Sequence, residues 1–178
     1  SATSPYNKAG ILNFGGEMQS KINPDSFGFL INDIARMSRT VFEQEIEAAK
    51  LGITAAEARV LAHMGRCGAI RQHLLAESLG MTPMSLTGFL DRLEAAGLIL
   101  RNVDPNDRRA KIASLTEPAS DILSQIAQAG KRVEQKISAH LSDEDWQTFQ
   151  QTALRIRKNL TDLRAAGQPS ENEASCDD

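Results

Sequence analysis

Apolar positions along most of the chain recur at helical rather than alternating intervals. Phe27, Leu30, Ile31, Ile34, Val41, Phe42 and Ile46 predict a first helix that begins after Asp25 or Ser26 and is closed by Gly52. Thr54-Ala55-Ala56-Glu57 reads as a capping box, in which each end side chain satisfies an orphan backbone N–H of the other. It opens a second helix with Ala58, Val60, Leu61 and Met64 inward and Gly68 at its end. Ala69-Ile70 is a short extended piece, and Leu74, Leu75 and Leu79 mark a short helix that stops at Gly80. Thr82 then caps another helix, with Pro83 at the first position, where its missing N–H costs nothing. Leu86, Phe89, Leu90 and Leu93 form its buried stripe, and Gly97 ends it.

Leu98-Ile99-Leu100 reads as a strand, residues 104–107 as a turn, and residues 110–115 as a return strand with Ile112 and Leu115 inward. Thr116 is expected to cap a long helix carrying Ile122, Leu123, Ile126, Val133 and Ile137. Ser142 caps the last helix, and Asp143, Glu144 and Asp145 in its first turn complement the positive end of the helix dipole. There Trp146, Phe149, Ala153, Ile156, Leu160 and Leu163 make a seam for another helix. The expected fold class is mainly α with a small β-hairpin wing: a winged helix-turn-helix with long terminal dimerisation helices. Residues 1–24 form an irregular extension interrupted by Pro5, Gly10, Gly15, Gly16 and Pro24. Residues 25–165 form the domain, with dimerisation helices at 25–52 and 117–165 around a winged helix-turn-helix at 53–116. Residues 166–178 form a flexible acidic tail.

Composition narrows the function classes. Hydrophobic residues make up 41% and charged residues 24%, which excludes global disorder. No apolar run approaches the ~18–20 residues of a membrane-spanning helix, and no basic-then-apolar leader is visible, so a cytoplasmic location is expected. Two cysteines, Cys67 and Cys176, are too few for a disulfide scaffold and imply a reduced protein. The net charge of −3 argues against nucleic acid only until its distribution is considered. Glu171, Glu173, Asp177 and Asp178 concentrate acid in the tail, whereas bases outnumber acids in residues 66–111.

A duplex-reading helix buries one face and offers the other, chiefly its N-terminal part, to base edges. Burial of the stripe leaves Thr82, Pro83, Met84, Ser85, Thr87, Gly88 and Arg92 outward. Hydroxyls there can meet bases or phosphates, and Met84 or Pro83 can touch a thymine methyl. Arg71 and Gln72, ahead of this helix, are candidates for backbone contacts. Arg108 and Arg109 at the hairpin tip suit a narrow, strongly negative minor groove, with Asp107 placed to orient one guanidinium. Lys111, one strand-step beyond, suits a phosphate.

Several of these stretches resemble the multiple-antibiotic-resistance regulator (MarR) family. They are Ile53-Thr54-Ala55-Ala56-Glu57-Ala58-Arg59-Val60-Leu61, Leu90-Asp91-Arg92-Leu93-Glu94-Ala95-Ala96-Gly97-Leu98-Ile99 and Asp104-Pro105-Asn106-Asp107-Arg108-Arg109-Ala110-Lys111, followed by Leu115-Thr116. The resemblance runs over residues 27–163. It implies a homodimeric winged-helix regulator, paired through its N- and C-terminal helices, that releases a pseudo-palindromic duplex when a small ligand or oxidant acts. Under it, residues 82–92 are the recognition helix and Arg108 or Arg109 enters the minor groove. One departure stands out: many members carry a basic residue where this chain has Gly88, so its operator preference should differ.

The resemblance also implies an effector site between the DNA-binding lobe and the dimerising helices, where Arg39 and His63 are candidates for holding an anionic or phenolic ligand. Zinc- and peroxide-responsive relatives suggest an alternative, a metal- or redox-responsive regulator acting through Cys67 and His63, four residues apart on one helix. A quietly packed Cys67 is the plainer reading. Another alternative is a winged-helix module that binds protein rather than DNA. No nucleophile–base pairing, metal triad or phosphate-cradling glycine loop stands out, so neither catalysis nor a cofactor is expected.

Overall fold

The fold was obtained as a computed structural model that describes residues 23–167. The extension up to residue 22 and the tail from residue 168, including Cys176, lie outside the described residues. The chain divides into two units, the first ending at Arg39 and the second beginning at Thr40. Helix α1 (Phe27–Ala49) crosses that boundary. In the first unit its apolar residues Phe27, Phe29, Leu30, Ile31, Ile34 and Met37 are exposed, and Arg36 pairs with Asp33 one turn away.

In the second unit α1 ends earlier than the glycine pattern predicts. Lys50 takes the left-handed position directly after the last turn, with φ 51°, and Gly52, two residues on, also has a positive φ of 74°. Helix α2 (Ala55–Cys67) starts on the expected capping box: Thr54 Oγ1 accepts the Glu57 N–H, and the Glu57 carboxylate accepts the Thr54 N–H. Strand β1 (Ile70–Arg71) leads into α3 (Gln72–Leu79), and α4 (Pro83–Ala95) follows after Gly80, whose φ of 61° makes the tight turn between them. Thr82 caps α4 by accepting the Ser85 N–H. Strands β2 (Ile99–Val103) and β3 (Lys111–Leu115) form the wing, and α5 (Ala119–Ser138) and α6 (Asp143–Gly167) complete the chain.

The fold is the expected winged helix-turn-helix, with three differences of detail. The sheet has three antiparallel strands in the order β1-β3-β2, because Ile70 and Arg71 pair with Ala113 and Ile112. Ala113, and not Ile112, is the fully buried residue of β3. Residues of a strand alternate faces, so Ile112 and Leu115, three apart, cannot share one. Thr116 does not cap α5. Its hydroxyl donates to the Gly97 carbonyl at 2.7 Å and its N–H to the Leu98 carbonyl, so it staples the sheet end while the helix starts beyond Pro118.

The core joins α2, α3, α4, α5 and the sheet through Leu61, Met64, Leu75, Leu86, Leu90, Leu93 and Ile99, all fully buried. Gly65 lets α5 come close, since a Cβ there would sit 3.1 Å from Leu123 Cδ2. Glu45 of α1 is bound by Arg132 and Lys136 of α5, each at 2.6 Å, and the two cations hold its carboxyl below the usual range. On α6, Phe149, Leu154, Leu160 and Leu163 remain exposed, although Trp146 stacks on Phe149 and donates to Glu134 of α5. None of the described helices is long and apolar enough to cross a membrane.

Candidate nucleic-acid interface

Burial of Leu86, Leu90 and Leu93 turns the opposite face of α4 outward. Thr82, Pro83, Met84, Ser85, Thr87 and Arg92 are exposed, and Met84 is 85% exposed. Gly88 and Phe89 are half-buried, so the expected fourth ridge residue is not fully inside. The Arg92 guanidinium lies 5.1 Å from the Phe89 ring centre and covers it. Within the helix, the Thr87 hydroxyl donates to the Pro83 carbonyl at 2.8 Å and the Thr82 hydroxyl to Ser85 Oγ at 2.9 Å.

Four ion pairs between residues distant in sequence or on different elements fix the frame around this face, and the sequence reading identified none of them. Arg92 Nε donates to Glu57, the buried capping-box carboxylate of α2. Arg101 of β2 binds Glu94 at 2.5 Å and Asp91 at 2.7 Å, which ties the base of the wing to the last turns of α4. Arg71 Nε donates to Asp104 Oδ2 at 2.5 Å, which ties the start of α3 to the root of the wing. Asp104 is only 2% exposed. It also accepts the Asn106 N–H at 2.8 Å, and this bond together with Arg71 holds its carboxyl below the usual aspartate value. Arg71 and Arg92, expected to face DNA, therefore each commit one N–H to the protein's own frame.

The wing tip is otherwise open. Arg108 and Arg109 are exposed, and no ion pair with an acidic side chain is formed by either among the described residues. Asp107 accepts the backbone N–H of Arg109 at 2.9 Å, so it shapes the loop and does not orient a guanidinium. Lys111 is exposed at the start of β3. A cleft of about 440 Å³ runs between the head of α3, the head of α4 and the wing. It gathers Gln72, Pro83, Thr87, Arg109 and Lys111 of the expected contact residues, together with His73, which the sequence reading missed. Its only sequence signal was adjacency to Gln72. A helix N-terminus flanked by arginine and lysine suits a polyanion: the first turns of α4 are uncharged, and the cations stand beside them where phosphates would run.

Residues 53–111 match the MarR family model, a span from the α2 capping box to the return strand of the wing. The winged helix-turn-helix of this chain is a MarR-family segment. MarR proteins are DNA-binding transcriptional regulators, and the winged helix-turn-helix described above is the part that matches. A crystal structure of MarR superposes with a TM-score of 0.71 at 24% identity, covering 82% of this chain and 98% of that one. Wild-type apo MarR from E. coli gives 0.66 at 25% identity, over 76% and 98% of the two chains. A probable transcriptional regulator from Pseudomonas aeruginosa gives 0.59 at 25%, over 74% and 97%.

Arg39 belongs to the first unit and His63 to the second. Cys67 Sγ lies 3.4 Å from His63 Nε2 on α2. Among the described residues no group of three His, Cys, Asp or Glu side chains is placed to hold a metal.

Proposed function

We propose that this protein is a homodimeric repressor that presents α4 to the major groove of each operator half-site and Arg108 and Arg109 to the flanking minor groove. The observation that carries the reading is the juxtaposition on one side of the second unit: an outward face in the first turns of α4 that carries no charge, bounded by the arginine-tipped wing. Gln72, Lys111 and the head of α4 contact phosphates in this reading and set register without reading sequence. Half-sites lie about one helical turn apart, as the two-fold symmetry of a dimer requires.

The exposed apolar residues of α1 in the first unit and of α6 in the second support pairing with another copy, since long apolar helical seams are stable only when covered. Release follows when a small anionic or phenolic ligand favours a spacing of the two reading heads that misses the groove. The protein acts in the cytoplasm by binding, not catalysis. Selection of bound duplexes from a random pool, repeated with aromatic acids added, tests the whole reading. A pseudo-palindromic sequence that is lost on ligand addition supports it, and the recovery of no preferred duplex refutes it.

A further inference from the structure

Helix α4 contains a glycine that its own fold does not require. Gly88 stands in helical backbone, and a Cβ built there meets nothing within 4 Å except Arg92 Nη1 at 3.9 Å. A mid-helix glycine weakens a helix relative to alanine, and here neither a turn nor internal crowding compensates. Close approach of the backbone to something outside the chain is the remaining physical use for it.

Met84 lies one turn earlier on the same row, which continues through Asp91 directly opposite Leu86, Leu90 and Leu93. Side chains on a helix lean toward its N-terminus, so Met84 leaves the backbone at Gly88 bare. Several polar groups nearby are already engaged: the Thr87 hydroxyl proton on Pro83, the Thr82 proton on Ser85, Asp91 on Arg101, and Arg92 Nε on Glu57, while the rest of the Arg92 guanidinium lies off this row, over Phe89. The row therefore offers no free two-pronged partner of the kind that reads guanine or adenine.

We infer that Met84 and the bare backbone at Gly88 form an apolar surface that reads thymine 5-methyl groups in the operator half-site. This rests on the repressor reading above, with α4 in the major groove. The flexible thioether follows the methyl contour, and the missing side chain at Gly88 lets the base edges come close. Specificity on this row is then set by apolar contact rather than by paired hydrogen bonds.

The test uses the full chain and a duplex recovered from a random pool, beside the same duplex with half-site thymines replaced by deoxyuridine. The replacement removes only the methyl and keeps the pairing edges. Wild type should bind about fourfold more weakly for each contacted methyl removed. Met84→Ala should bind both duplexes alike. Gly88→Ala should raise the melting temperature by about 2–4 °C and yet weaken binding of the thymine duplex. Equal affinity of wild type for the two duplexes, or an unchanged ratio in Met84→Ala, overturns the inference while leaving DNA binding intact. Tight binding of the thymine duplex by Gly88→Ala overturns the close-approach role. Failure of wild type to bind any duplex overturns the repressor reading itself, and this inference with it.

Discussion

Arg71 Nε donates to Asp104 Oδ2 across 2.5 Å, joining the residue before α3 to the residue at the root of the wing. The pair makes the reading helices and the wing one frame, because Arg71 also lies in β1, whose partner β3 is the central strand. Asp104→Asn should leave most of the helix content intact but lower the melting temperature and weaken duplex binding several-fold, since the wing tip loses its anchor. Circular dichroism and a binding titration on one preparation check both. Unchanged affinity would show that the wing does not depend on this anchor.

The same pair predicts an acid limit. Folding lowers the Asp104 pKa, so its contribution to stability is present above the ordinary aspartate value of 3.8 and is lost as pH falls through the lower folded value. Glu45, Glu57 and Glu94 are lowered too, from 4.5, and act in the same direction. Stability should therefore be flat from neutral pH to about 5 and fall steeply below about 4. Thermal unfolding across that range tests it, and Asp104→Asn should show a shallower acid limb than wild type.

Arg92 should behave differently from the wing arginines. It covers Phe89 and pairs with Glu57, a carboxylate only 4% exposed, so Arg92→Ala leaves a nearly buried charge without its partner. That variant should lose melting temperature along with affinity. Arg108→Ala and Arg109→Ala should lose affinity alone. Thr54→Ala, which removes the other half of the capping box, should cost about 1 kcal/mol and no specificity. Parallel melting and binding curves for the four variants separate these roles.

Leu160 and Leu163 are 59% and 70% exposed on α6. Leu160→Glu with Leu163→Glu should convert a dimer to a monomer in sedimentation and weaken operator binding, while helix content is nearly unchanged. A dimer of wild-type mass in the double variant would place the pairing surface elsewhere.

Much of the fold was legible in the sequence where the physics is local. The Thr54–Glu57 capping box, the Thr82–Pro83 helix start, the Leu86–Leu90–Leu93 ridge and the left-handed Gly80 all depend on neighbours within a turn or two. The α4 outward face followed from the ridge. What was not legible depends on distant partners. β1 is two residues long and is a strand only because Ala113 lies beside Ile70. Arg71 and Arg92 look like free cations until Asp104 and Glu57, more than thirty residues away, come into place. Ala113 is fully buried because of its place in the central strand, although Ile112 is the more apolar residue.

The most direct test of the account is the salt dependence of duplex affinity, measured for wild type and for Arg108→Ala with Arg109→Ala. Wild type should lose affinity steeply as salt rises, and the double variant should bind more weakly with a slope shallower by about one to two, since each removed cation releases one fewer counterion. Identical slopes for the two proteins, or duplex binding that ignores salt, would contradict a nucleic-acid surface built from α4 and the arginine-tipped wing.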